Sequence, residues 1–471
     1  MNVLFVSSEA APYALSGGLA DVAGALPKAL CKAGVDCRVV LPFYTLKCEP
    51  FRESVSYHCN FSVPVAWRNQ YCGIFSAVYG GVTYYFIDNE YYFKRDGLYG
   101  YYDDAERFAF FSRAVLEMLD YIDFKPDIIH ANDWQSALVP VYYELFYHYK
   151  YPDIKTVFTI HNILYQGQYG MDLCEEIFGI PYSRGNLLEY DKDANLMKGA
   201  IEVANKITTV SPTYANEILD PFFGHGLDRI LNGKQYKTCG FLNGIDVETY
   251  NPETDSNLPA NYSSVNKKNK IICKSRLLEE VGLPDGDEPV IAIITRFVAN
   301  KGIDLIRYAM DSIIEMGYKV VVLGSGDREY ENYFRYIQSK YPDRIAVTLG
   351  FVPSLARKIY AGADMFLMPS QTEPCGLAQM IALRYGTIPI VRETGGLADS
   401  IRDLGGKGGN GYTFKTYNAD DMANAIWRAK EDYWNKQKWG RIVTHALKED
   451  FSWDRSAELY IGLYKELCGI Q

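Results

Sequence analysis

The chain has 471 residues, 48% apolar and 23% charged, which is ordinary globular usage and more than one hydrophobic core usually organises. Its formal net charge of -10, with no Lys/Arg-rich run, opposes the phosphate backbone of nucleic acid, and no uninterrupted apolar stretch is long enough to span a bilayer. Residues 1–8 lack a basic leader and read as a strand, and ten scattered cysteines form no Cys-x-x-Cys pair, so neither a disulfide framework nor a zinc site is expected and a cytoplasmic location follows by default.

Short β-branched runs alternate with helical patterns from the first residue. Strands are predicted at 3–6, 37–41, 84–87, 127–130, 156–161 and 206–210. Between the first two, Leu19, Val22, Leu26, Leu30 and Ala33 fall on one helical face, which sets Gly17 and Gly18 at a helix start. The polar, turn-rich stretch after Asn251-Pro252 reads as a linker and marks the domain boundary. Beyond it the same grammar resumes, with strands at 290–295, 319–323, 345–349, 365–368 and 388–391. The expected fold is α/β, two doubly wound domains at 1–250 and 251–450. A final segment, 451–471, contains a helix at 454–468 whose packed face is Ala457, Leu459, Tyr460, Leu463 and Leu467. One pentapeptide, Gly-Gly-Leu-Ala-Asp, occurs at 17–21 and again at 395–399, each time after a predicted strand and opening a helix.

Ligands of open α/β sheets bind beyond the carboxyl ends of the strands, and the candidate residues fall there. Backbone N–H groups at the Gly17-Gly18 helix start suit a phosphate, a plain tight turn being the alternative. His130-Ala131-Asn132-Asp133-Trp134 sets a carboxylate beside an indole that suits a sugar face, against simple packing of Trp134. His161-Asn162 ends the fifth strand. In the second half, Arg296 and Lys301 follow the first strand, where two fixed cations stabilise charge growing on a departing diphosphate; two solvated loop cations are the alternative. Glu373, ahead of Pro374, reads as a strand-to-helix elbow. A carboxylate there can hold sugar hydroxyls or oppose an oxocarbenium-like charge, or merely stabilise a helix N-terminus.

Taken in chain order, Ser16 through Val22, His130 through Trp134, His161-Asn162, Thr209 through Tyr214, Asn243 through Asp246, Arg296, Lys301-Gly302, Glu373 through Leu377, Thr394 through Asp399 and Phe451-Ser452-Trp453 resemble the bacterial glycogen synthase and plant starch synthase family over nearly the whole chain. The resemblance implies a GT-B fold: two Rossmann-like domains facing across a cleft, the first carrying the starch synthase catalytic region, the second binding the nucleotide sugar, and the C-terminal helix returning to the first. It implies a metal-independent hexosyltransferase with no cofactor, passing glucose from ADP-glucose or UDP-glucose to the non-reducing end of an α-1,4-glucan or maltooligosaccharide with retention of configuration. Nucleic acid and membrane are not expected partners.

Residue by residue, the resemblance implies that Arg296 and Lys301 neutralise the diphosphate, Glu373 contacts the donor glucose, His161 positions its C6 hydroxyl, and Asp133 joins Asp21 and Asn243 in lining the sugar site. Ser16, Gly17, Gly18, Cys375, Gly376, Leu377, Thr394, Gly395 and Gly396 complete the donor site. Phe351 stands where the family stacks an aromatic on adenine, core packing being its alternative. Two positions depart from the pattern. Leu15 replaces a lysine of the first glycine loop, and Gln371-Thr372 replace Arg-Phe ahead of Glu373. Leu15 motivates the alternative of a non-catalytic or weakly active glucan-binding relative.

Overall fold

The computed structural model describes residues 1–470, which divide into two compact units: Met1–Gly244 together with the tail from Trp453, and Ile245–Ser452. The first unit is built on a nine-stranded sheet. Its strands in chain order are β1 (Asn2–Val6), β2 (Asp36–Pro42), β3 (Ser56–Val65), β4 (Arg68–Tyr79), β5 (Val82–Asp88), β6 (Ile128–Asn132), β7 (Lys155–Ile160), β11 (Lys206–Thr209) and β12 (Thr238–Gly240). Between β7 and β11 a separate small antiparallel sheet is formed by β8 (Gln168–Gly170), β9 (Glu189–Tyr190) and β10 (Asp193–Asn195). The order across the large sheet is β12-β11-β7-β6-β1-β2-β5-β4-β3. From β12 to β5 every pair is parallel, and the central strands are buried on both faces, Val3 through Val6 being fully so. That double burial is why they read as continuous apolar runs.

The β3–β4 hairpin is the part of this sheet that the sequence reading lacked. It pairs antiparallel with β5 and extends the edge. β3 holds Pro64 and exposes most of its outer half, so it carries no apolar run; as the last strand it tolerates a missing ladder donor.

The second unit contains β13 (Val290–Ile294), β14 (Lys319–Gly324), β15 (Ile345–Leu349), β16 (Met365–Met368), β17 (Ile388–Arg392) and β18 (Tyr412–Phe414). They form one wholly parallel sheet in the order β15-β14-β13-β16-β17-β18, the classical dinucleotide-fold order. Amphipathic helices supply the covering layers; Ile303–Glu315 buries Ile303, Leu305, Ile306, Ala309, Met310 and Ile313 along one stripe.

Two expectations need correction. The chain passes between units at Gly244/Ile245 rather than after residue 250, and the linker-like segment belongs to the second unit. Polar composition misled here because the polar groups are partnered: Asp255, 7% exposed, accepts from the Tyr385 hydroxyl at 2.5 Å and pairs with Arg357 at 3.3 Å, while the buried Tyr262 hydroxyl donates to the Tyr385 carbonyl at 2.7 Å. The C-terminal helix runs Trp453–Cys468, but its buried stripe is Trp453, Ser456, Ala457, Tyr460, Leu463 and Tyr464. Leu459 is 44% exposed and Leu467 only half-buried, because the stripe is anchored by Tyr464, whose hydroxyl meets His130 Nδ1 of β6 at 2.7 Å.

Candidate active site

In each sheet the winding reverses once, between β1 and β6 in the first unit and between β13 and β16 in the second. Loops leaving such neighbours diverge to opposite faces and leave a crevice at the carboxyl ends, so each unit presents one such place.

In the first unit β1 leads to Ser7, Ser8 and Glu9, all buried, and then to the turn that opens the helix Gly18–Lys32. Gly17 occupies its N-cap with an extended backbone, and Ser16, Gly17, Gly18 and Asp21, in the first helical turn, are all exposed. Leu15, at the place of the missing lysine, is 58% exposed. β6 ends in Asn132, followed by Asp133 with φ 56, a left-handed backbone uncommon for a residue with a side chain. Asp133 Oδ1 accepts the backbone N–H groups of His161 at 2.8 Å and Asn162 at 3.3 Å, so this carboxylate shapes the turn after β7 that carries the histidine. Burial pushes the Asp133 carboxyl up to about 7, with the charge of Glu9 adding and the two N–H bonds opposing. Trp134 is half-buried, edge-on to Phe108 and close to Gly167, so packing is a large part of its role.

The histidine's tautomer follows from its surroundings. Asn132 Nδ2 donates to the carbonyls of Val6 at 3.0 Å and His130 at 3.2 Å, which turns its Oδ1 toward His161 Nε2 at 2.9 Å. An amide oxygen only accepts, so Nε2 bears the proton and Nδ1 keeps a lone pair. Burial lowers the imidazole pKa to about 3; the ring is neutral at physiological pH, an acceptor at Nδ1 for a hydroxyl.

In the second unit β13 leads to Arg296, which is exposed and makes no ion pair among the described residues, and then to Lys301. Gly302 has φ 72, and a Cβ there would stand 2.1 Å from the Pro369 carbonyl oxygen. Only glycine lets this loop lie against the one leaving β16, and the Gln371 N–H donates to the Asn300 carbonyl at 2.9 Å across the same seam. The approach delivers Lys301 Nζ to Glu373 Oε2 at 2.6 Å, with side chains 14% and 8% exposed. Ser370 Oγ donates to the same carboxylate oxygen at 2.9 Å.

The helix after the elbow, Ala378–Arg384, begins well beyond Pro374, with Leu377 at its N-cap. Glu373 therefore does not sit at a helix N-terminus, and stabilising one is not its role. Cys375 is buried, Gly376 has φ 73, and Gln379 Nε2 donates to the carbonyls of both at 3.1 and 2.9 Å. Thr394 is buried and N-caps Gly395–Ser400, where the Gly396 N–H donates to the carbonyls of Glu373 and Pro374, each at 3.1 Å.

The expected residues thus form two clusters, Ser16–Gly18 with Asp21, Asp133 and His161 at one switch point, and Lys301, Glu373 through Leu377 and Thr394 through Gly396 at the other. Asn243, buried beyond the edge strand β12, and Phe351, beyond the edge strand β15, are tied to neither by a hydrogen bond among the described residues. Phe351 is 90% exposed, which removes core packing as its explanation. Glu9, Asn132, Ser370 and Gln379 were not singled out from sequence; the usable signal for Glu9 and Asn132 was position alone, each lying at or just past a strand's carboxyl end.

Two doubly wound sheets, one wholly parallel and one parallel but for an edge hairpin, with such clusters at their switch points define a two-domain glycosyltransferase. Residues 2–233 match the family model for the starch synthase catalytic domain, and residues 263–444 that for glycosyl transferases group 1. Among similar proteins, the glycogen synthase of Clostridium botulinum is 48% identical over 99% of both chains, and that of Bacillus cereus 47% identical over 99% of this chain and 100% of its own. The catalytic domain of Starch Synthase IV from Arabidopsis thaliana bound to ADP and acarbose superposes with a TM-score of 0.91 at 35% identity, covering 99% of each chain. Sucrose-phosphate synthase from Thermosynechococcus elongatus, with a TM-score of 0.60 at 17% identity over 99% of each chain, shares the fold. The chain belongs to the glycogen synthase family, and it is a glucosyl-transferring enzyme. No helix among the described residues is long and apolar enough to cross a membrane.

Proposed function

We propose that the enzyme transfers glucose from ADP-glucose to the non-reducing end of an α-1,4-glucan with retention of configuration, UDP-glucose being the alternative donor. The observation that carries this reading is the buried Lys301–Glu373 pair, 2.6 Å apart at the second unit's switch point with Arg296 on the same loop as the lysine. As the bond from glucose to diphosphate breaks, negative charge grows on the leaving phosphate and positive charge on the sugar ring. Lys301 and Arg296 act on the first and Glu373 on the second, and groups fixed before the reaction act more strongly on developing charge than on the ground state.

In the resting molecule Lys301 and Glu373 neutralise each other, which keeps two ionised groups in place without substrate. His161, neutral and with Nδ1 free to accept, holds the glucose C6 hydroxyl. Asp133 holds the turn bearing that histidine. Gly18, at the helix start, offers its backbone N–H to a phosphate oxygen, and Phe351 offers an exposed face to the base. These groups carry the diphosphate's charge without a metal ion, so EDTA leaves turnover unchanged. The ADP and acarbose bound by the Arabidopsis enzyme support an adenine nucleotide and a sugar chain as ligands. We infer a cytoplasmic location, where nucleotide sugars are made. The test is direct: purified enzyme with a maltooligosaccharide and either sugar nucleotide releases nucleoside diphosphate and lengthens the acceptor, and absence of turnover with both donors overturns the proposal.

A further inference from the structure

Glu9 has no part in the scheme above, yet it is built into the same corner of the first unit. It is 3% exposed and lies behind the Ser16–Gly18 turn, its Oε2 accepting the Ser16 N–H at 2.6 Å. The chain on which it stands is fixed from three sides: Ser7 Oγ donates to the Glu9 carbonyl at 2.6 Å, Ser8 Oγ bonds the Tyr99 hydroxyl at 2.7 Å, and Asn132 Nδ2 donates to the Val6 carbonyl. The carboxyl group therefore sets the position of the turn.

The groups facing Glu9 are acidic or neutral. They are Asp21 on the helix that follows the turn, Asp133 beyond β6, and the phenols of Tyr44 and Tyr99. Arg107, which faces Tyr44, is committed to Asp104 and to the carbonyls of Tyr92 and Leu98. Leu15 supplies no ammonium. A diphosphate reaching the turn would meet a buried carboxylate, with no cation facing it, directly behind the turn.

We propose that Glu9 is a positioning residue of the donor site, holding the Ser16–Gly18 turn through the Ser16 N–H and taking up a proton from solvent as the donor's diphosphate arrives. The proposal rests on reading that turn as a phosphate site. A protonated carboxyl keeps an oxygen able to accept the Ser16 N–H, so the turn is held in both states while the repelling charge is lost. Burial, opposed by hydrogen bonds from Ser16 and Gly17, pushes the carboxyl up to about 7, so the exchange falls in the physiological range.

The test is calorimetric titration of ADP-glucose, and then UDP-glucose, without acceptor, in two buffers of different ionisation enthalpy. Neither donor has a phosphate that titrates between pH 6 and 8, because both phosphates are esterified. The wild type takes up protons on binding at pH 8 and weakens by about tenfold from pH 6 to 8, as expected when an ionised carboxylate must be neutralised first. Glu9→Gln keeps an accepting oxygen, so it binds at pH 8 as the wild type does at pH 6 and with markedly less proton uptake. Glu9→Ala frees the turn and has no charge to neutralise, so at either pH it binds about tenfold more weakly than the wild type does at pH 6. Equal proton uptake by wild type and Glu9→Gln overturns the proposal, as does unchanged affinity at pH 6 in a folded Glu9→Ala; should the alanine variant not fold, the glutamine comparison decides alone. If the wild type binds neither sugar nucleotide, the phosphate reading of the turn fails and the proposal fails with it, a result distinct from normal binding without proton uptake.

Discussion

The two copies of Gly-Gly-Leu-Ala-Asp have the same letters and opposite surroundings. At 17–21 the backbone of Gly17 is extended, an added Cβ would meet nothing within 4 Å, and the turn faces outward with Glu9 behind it. At 395–399 Gly395 has φ 44, and a Cβ on it would stand 2.0 Å from the Glu373 carbonyl oxygen; one on Gly396 would stand 2.2 Å from that of Cys375. The first pair is exposed, with room beside Gly17 for something outside the protein. The second uses its missing side chains to grip the loop that carries Glu373. A glycine pair at a helix start is therefore an ambiguous signal, and its packing partner decides whether it receives a ligand or shapes a neighbour.

The largest effect is expected where the protein itself fills the space. Gly395→Ala should push the Glu373 loop away, lowering kcat by about a thousandfold and destabilising the second unit by about 3 kcal/mol or more, a melting shift of roughly 6–12 °C. A variant with normal melting and turnover would show that the grip is not needed. Lys301→Ala, which leaves that grip intact and removes only the cation it presents to the site, should cut kcat by about a hundred- to a thousandfold with little change in KM for the glucan; an unchanged kcat with a raised KM for the donor would mean that Lys301 binds rather than catalyses.

At the open copy, Leu15→Lys restores an ammonium and should raise kcat/KM for the donor by about ten- to a hundredfold, the worth of a charge-assisted contact of about 1.5–3 kcal/mol. No gain would indicate that Arg296, Lys301 and the turn already meet the diphosphate's needs.

Smaller still is a pH effect near the same turn. Asp133 is raised from its ordinary range to about 7, so the folded protein holds a proton that the unfolded chain has released above about pH 4. Stability therefore falls as pH rises from about 4 to 7 and is lowest, in this contribution, above 7. Asp133→Asn keeps an oxygen for the His161 and Asn162 N–H groups and removes the charge; thermal melting should rise by a few degrees at pH 8 and stay unchanged at pH 4.5. The same shift at both pH values would contradict the ionisation argument. The smallest change is Gly17→Ala, expected to alter melting by no more than about 1 °C and to act, if anywhere, on the donor KM; a large loss of stability would erase the contrast between the two copies.

Much of the parallel core was legible because a strand buried on both faces must be apolar throughout, as Val3 through Val6 and Val290 through Ile294 are. The β3–β4 hairpin was not, since an exposed edge carries no such run and Pro64 has no N–H to give a ladder. The segment after Asn251 misled because Asp255 and Tyr262 find partners more than a hundred residues away, at Arg357 and Tyr385. Among site residues, Lys301 and Glu373 declared themselves by charge next to strand ends. Glu9 and Asn132 did not: what they do depends on Ser16 and His161 being folded against them, and the identity of a carboxylate or an amide says nothing of that.

The first unit is discontinuous, closed by the helix Trp453–Cys468, whose Tyr464 supplies the hydroxyl that buried His130 needs. During synthesis the amino-terminal sheet emerges first, but it waits on the helix Trp453–Cys468, with the second unit, continuous from Ile245 to Ser452, emerging in between. The order of completion on the ribosome is thus inverted relative to the order of emergence, and a nascent or truncated chain lacking the final helix exposes the apolar stripe around β6 that the finished protein hides.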